Sequence, residues 1–179
     1  MKDRRGFTLI EIMIVIAIVA IVATIATTNF QLWLNHSSAI GFQREFLSKS
    51  NEARTRSMAS SLQHRLLIDM NAERVTLQRG TLGTGTPSTG WTSVGQPVVG
   101  SRGAGIDNVI CTPAVTVPTT IALVFNPDGQ TLIQDNTAGS AASPLTQADI
   151  HISATSVADR ATIRVFGWTS KARLANGWL

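Results

Sequence analysis

A run of twenty mainly apolar residues, Phe7 to Ala26, stands directly behind a short basic leader and limits what the rest of this chain can become. The leader, Met1 to Arg5, sets Lys2, Arg4 and Arg5 against Asp3, and the run is interrupted by Thr8, Glu11 and Thr24. At about 1.5 Å per helical residue, the run spans the ~30 Å hydrocarbon core of a bilayer. Lys and Arg lie on the short N-terminal side, which keeps that end cytoplasmic and sends the C-terminal bulk across the membrane.

A secretory signal peptide places its small-residue cleavage site after the apolar core. Here the small residue, Gly6, precedes the core. A cut between Gly6 and Phe7 leaves the apolar helix on the mature protein, with a free amine on Phe7. Glu11 then lies five residues into the mature chain, inside hydrocarbon, where an acid costs a few kcal/mol. A plain anchor gains nothing from that cost. A carboxylate that meets a positive charge when subunits pack does gain from it, and the nearest candidate is the Phe7 amine of a neighbour.

Gly6-Phe7-Thr8-Leu9-Ile10-Glu11 resembles the class III leader and N-terminal motif of type IV pilins and type II secretion pseudopilins. The resemblance implies cleavage after Gly6 by a prepilin peptidase, N-methylation of Phe7, and assembly into a helical filament with the apolar helices at its core. The implied partners are other pilin subunits, the peptidase and the inner membrane. The head would sit first in the periplasm and later on the pilus surface. Related chains usually carry a proline where this one reads Ala26-Thr27-Thr28-Asn29-Phe30. Proline would interrupt the helix ladder, whereas two β-branched threonines weaken helix only modestly.

Beyond the anchor the 179-residue chain keeps enough length for one globular head with its own core. That head is rich in Gly, Ser and Thr and has no Tyr, a composition of short strands and turns. The single Cys111 cannot form a bridge within the chain and is read as a buried, inert thiol. The formal charge of +4 is uneven. Residues 80–159 carry only Arg102 against five acids, while residues 160–179 carry Arg160, Arg164, Lys171 and Arg173 against none. The C-terminal segment is therefore the informative basic patch.

The expected fold is α+β. A long N-terminal helix, transmembrane in one half and amphipathic in the other, packs on antiparallel sheet in a C-terminal head. The expected divisions are a leader over 1–6, a filament-core helix over 7–35 and a head over 36–179, with helix continuing to about residue 61. Ile40, Leu47, Asn51, Arg54, Met58 and Leu62 recur at helical spacings as its packing stripe, with Phe42 and Phe46 beside it. Strands are expected over 65–70 and 74–78 as a hairpin, then 106–117, 120–125, 130–134, 148–155 and 161–168. Asn126-Pro127-Asp128-Gly129 is a turn. Residues 80–105 read as a long loop with one short strand near Trp91, 135–147 as a second loop, and 169–179 as a tail. This order, with Glu52 to Ala59, Val124 to Gly129 and Ile163-Arg164-Val165, resembles the FimT/GspH group of minor pilins and pseudopilins.

No catalytic constellation emerges, so the reading is not an enzyme and needs no cofactor. His36, His64 and His151 lack neighbours at metal-ligand spacing; His36 and His64 read as solvated polar residues on the helix and its exit, and His151 as a residue on a strand face. In FimT-like proteins that bind DNA, a C-terminal Gly-Arg-x-Arg motif is implicated. This chain offers Ser170-Lys171-Ala172-Arg173, which matches the two basic positions but replaces the glycine by serine and the first arginine by lysine. Arg160, Arg164, Lys171 and Arg173 could neutralise phosphates, and Trp168 or Trp178 could stack on bases. The plainer readings are a solvated basic edge that blocks wrong strand pairing, or a patch facing an acidic neighbour.

Overall fold

The structure, a computed structural model, describes residues 8–85, 87–114, 119–135 and 141–178. Gly6 and Phe7, the end of the expected 106–117 strand and part of the 135–147 loop lie outside the described residues. The chain divides between Leu34 and Asn35 into two units.

In the first unit, helix α1 (Leu9–Ser60) begins and runs on through the site of the missing proline. Every described side chain from Thr8 to Trp33 is exposed. The segment is long and apolar enough to cross a membrane. Its polar side chains bond back to the helix's own carbonyls: Thr24 Oγ1 to Ala20 at 2.9 Å, Thr27 Oγ1 to Thr24 at 2.8 Å and Asn29 Nδ2 to Ile25 at 3.1 Å. Such bonds satisfy groups that hydrocarbon cannot.

The second unit begins with the rest of α1, whose buried face is Ala39, Phe42, Gln43, Phe46, Ser50, Ala53 and Ser57. This corrects the expected stripe. Ile40, Leu47, Arg54 and Leu62 are half-buried, and Asn51 and Met58 are exposed. The true face is turned by one residue, about 100° around the helix. Ranking residues by apolar bulk misses it, because Ala and Ser are what let a helix lie close to a sheet. The helix stops at Ser60 because Ser61 turns to φ +54, the left-handed conformation of a helix C-terminus.

Among the described residues eleven strands follow. The first sheet contains β1 (His64–Asp69), β2 (Arg74–Arg79), β3 (Thr92–Ser93), β4 (Val98–Val99), β6 (Thr120–Phe125), β7 (Thr131–Asp135) and β8 (Ala142–Pro144). Its order is β3-β2-β1-β6-β7-β8, with β4 also on β2. The second sheet contains β5 (Gly105–Thr112), β9 (Gln147–Ser153), β10 (Ala161–Phe166) and β11 (Ala172–Asn176), in the order β11-β10-β9-β5. All pairs are antiparallel, joined by hairpins and crossovers. Phe42 and Phe46 of the helix join Leu66, Ile68, Leu123 and Phe125 of the first sheet and Ile150, Ile152 and Ile163 of the second in one core. The expected α+β layout, a long helix followed by antiparallel sheets in a head, is what forms.

The sheets are stitched where backbones nearly touch. Gly167 donates to Thr146 O at 2.8 Å and accepts from Thr131 N at 2.6 Å. A Cβ on Gly167 would fall 1.6 Å from Leu145 O, so only glycine fits there.

Four expectations need amending. The 80–105 loop holds two short strands, β3 and β4, because Ser88 organises it. The Ser88 hydroxyl accepts from Thr81 N and Leu82 N at 3.1 and 2.9 Å, and Ser88 N donates to the buried Gln63 at 2.7 Å. The 135–147 loop contains β8. The tail contains β11, an edge strand on β10. His64 is not solvated: it opens β1, is 2% exposed, and its Nδ1 lies 3.1 Å from Leu62 O. Burial first, then the charges of Arg56 and Arg79, hold its pKa below the usual 6.5.

Candidate functional site

At the start of α1, Thr8 and Glu11 form a reciprocal cap. The Glu11 carboxylate accepts from Thr8 N at 3.4 Å, and the Thr8 hydroxyl accepts from Glu11 N at 3.3 Å. Thr-x-x-Glu is the sequence signature of such a capping box. The geometry therefore gives the acid an intrachain role: it satisfies a helix-end donor and favours the positive end of the helix dipole. Both side chains are exposed, which leaves the carboxylate open to a further partner.

The basic C-terminal residues meet on the second sheet. Alternation puts Asp149 of β9, Arg164 of β10 and Arg173 of β11 in one cross-strand row. Two arginines directly opposite repel, and Asp149 offsets this by pairing with Arg164 at 2.7 and 2.8 Å. That bidentate bond also holds the Arg164 guanidinium above its ordinary pKa. Arg164 is thus engaged. Arg160 lies over the ring of Trp178 at 4.4 Å, and Trp178 stacks on His151 at 5.4 Å and donates to Ile152 O at 3.2 Å. Lys171 and Arg173 are exposed, with Arg173 5.9 Å above Phe166. Of the two candidate stacking residues, Trp178 is occupied and Trp168 is 69% exposed.

The turn that carries Lys171 is rigidly built. Ser170 is 1% exposed with φ +50, the conformation that favours glycine, which gives a physical reason for glycine at this place in the motif it resembles. Serine is held there because its Oγ donates to Gly129 O at 2.7 Å and lies 2.7 Å from Thr131 Oγ1. Arg54 Nε adds a bond to Thr169 O at 3.0 Å. Asp149 and His151 were not legible as parts of this face, because only strand register brings them to it.

Elsewhere the chemistry is quiet. No group of three or more metal-ligating side chains occurs among the described residues. His36 pairs with Asp159 at 2.6 Å. Cys111 is buried, and burial pushes its thiol up to about 11, which suppresses the thiolate.

Residues 1–27 match the family model for the prokaryotic N-terminal methylation motif. No curated protein and no solved structure matches the chain. The match, together with the exposed apolar helix, supports a type IV pilin-like protein of a pilus or pseudopilus. Its motif implies processing by a prepilin peptidase and assembly with other pilins, and it points to a structural subunit rather than an enzyme.

Proposed function

We propose that this chain is a minor pilin: a subunit cut after Gly6, methylated on Phe7, held in the inner membrane by α1 with its head in the periplasm, then drawn into the tip or initiating part of a type IV pilus. The observation that carries the reading is the methylation motif over residues 1–27 together with a helix whose apolar side chains, among the described residues from Leu9 to Trp33, are exposed. A helix this apolar needs lipid or other such helices around it. Glu11 would leave its capping role, or share it, to meet the Phe7 amine of a neighbour. The decisive experiment is mass spectrometry of the mature N-terminus. An N-methylated Phe7 is expected; a chain beginning at Met1, or beyond Ala26, overturns the proposal. Loss of pili rather than of secretion in a deletion strain separates it from a GspH-like pseudopilin.

A FimT-like DNA-binding role is the second reading, favoured by Lys171, Arg173 and exposed Trp168 around one rigid turn. In this reading Lys171 and Arg173 carry the phosphate contacts. Arg164, bound to Asp149, and Arg160, over Trp178, contribute field rather than direct contact.

A further inference from the structure

We propose that Arg65, stacked on Trp91 at the outer face of the seven-stranded sheet, is a receptor for one carboxylate presented by a neighbouring filament subunit. The occupant rests on the filament reading above; the site does not. Arg65 is only 9% exposed, although it is a cation at the second position of β1. Its Nε donates to Gln78 Oε1 at 2.7 Å, and its guanidinium carbon lies 4.4 Å from the Trp91 ring centre. Among the described residues no carboxylate pairs with it. Asp69, on the same face of the same strand, is about 13 Å along it at ~3.3 Å per residue. Asp69 instead faces Arg74, at 3.9 Å.

A buried charge without a counter-charge is costly, and burial pulls the pKa of Arg65 down to about 10. Pinning Trp91 does not require that cost, since an apolar side chain of similar length would pack the indole equally well. The terminal nitrogens have no acceptor among the described residues, yet they are not sealed from solvent. They are therefore open to an acceptor from outside. With Nε held by Gln78, the guanidinium offers its end-on pair of N–H donors, which fits the two oxygens of a carboxylate. The net charge also selects. One cation balances one negative charge, whereas a doubly charged phosphate would be left half neutralised in a poorly solvated place. Arg and Trp are moreover among the residue types enriched at the energetic centres of protein interfaces.

The test uses the full-length protein in detergent micelles with ¹⁵N-labelled arginine, the Arg65 Nε–H resonance being assigned by its loss in Arg65→Lys. Sodium acetate should shift that resonance saturably, with an apparent Kd at least tenfold below that of sodium chloride at equal ionic strength. Equal responses to acetate and chloride, or tighter binding of phosphate than acetate, overturn the site. In filament-producing cells, a photocrosslinker in place of Trp91 should capture another filament subunit through a peptide containing Asp or Glu. Arg65→Met, combined with the crosslinker, should lower that yield at least tenfold. Acetate binding without any captured subunit overturns the filament occupant and leaves the carboxylate site standing.

Discussion

Removing the Ser170 hydroxyl tests whether the basic turn is held as the geometry says. The hydroxyl has one proton, given to Gly129 O, so the Thr131 hydroxyl must be the donor in the second 2.7 Å contact. Ser170→Ala then strands a carbonyl and a hydroxyl, both buried. Each stranded group costs about 1–3 kcal/mol, and the surrounding chain relaxes somewhat, so the expected loss is roughly 2–4 kcal/mol. Alanine also keeps the left-handed strain at φ +50. Ser170→Gly loses the same two bonds but relieves that strain, which is worth about 1 kcal/mol. At roughly 3 °C per kcal/mol for a domain of this size, Ser170→Ala should lower Tm by about 6–12 °C and Ser170→Gly by about 3 °C less. Thermal melts of the full-length protein in detergent measure both. A double variant Ser170→Ala with Thr131→Val should lose less than the sum of its parts, because the second change removes the stranded donor. Ser170→Ala within about 2 °C of the parent (less than ~1 kcal/mol), or Ser170→Gly the less stable of the two, would refute the reasoning.

Other outcomes follow from the same geometry. Glu11→Ala should leave membrane insertion intact while reducing filament incorporation at least tenfold on immunoblots of sheared filaments; normal incorporation counts against the pairing with Phe7. Lys171→Ala with Arg173→Ala should abolish DNA retardation at low salt, whereas Arg160→Ala should only weaken it; a parent protein that never retards DNA removes that reading. Because buried His64 resists the proton that the unfolded chain accepts near 6.5, stability should fall as pH drops below 6.5 toward its lowered folded pKa. In His64→Gln the dependence between pH 6.5 and about 5, above most carboxylate pKa values, should flatten in melts. Iodoacetamide at pH 8 should leave Cys111 unlabelled in the folded protein and label it in urea, since the folded thiol titrates only at about 11.

Which parts of the molecule could be read from residues alone follows from the range of the forces involved. The anchor, the hairpin of β1 and β2 and the Asn126–Gly129 turn were all legible. Each depends on neighbours a few residues apart, whose preferences survive any tertiary context. The packing face of α1 was misread because burial there follows closeness to two sheets, which favours Ala39, Ser50, Ala53 and Ser57 over bulkier neighbours. The edge strand β11 looked like a tail because five residues, three of them half-buried, show little alternation until β10 lies beside them.

The basic segment shows the same division most sharply. Its charges were plain in the sequence, as was the run that must lie in lipid, because composition alone sets net charge and the cost of hydrating apolar surface. Which charges remain free was decided by register: Asp149 neutralises Arg164 only because β9 and β10 align them, fifteen residues apart in sequence and one strand apart in space. Long-range pairing of this kind is fixed by the core that aligns the strands, so only the folded sheet could separate exposed Lys171 and Arg173 from the two arginines already engaged.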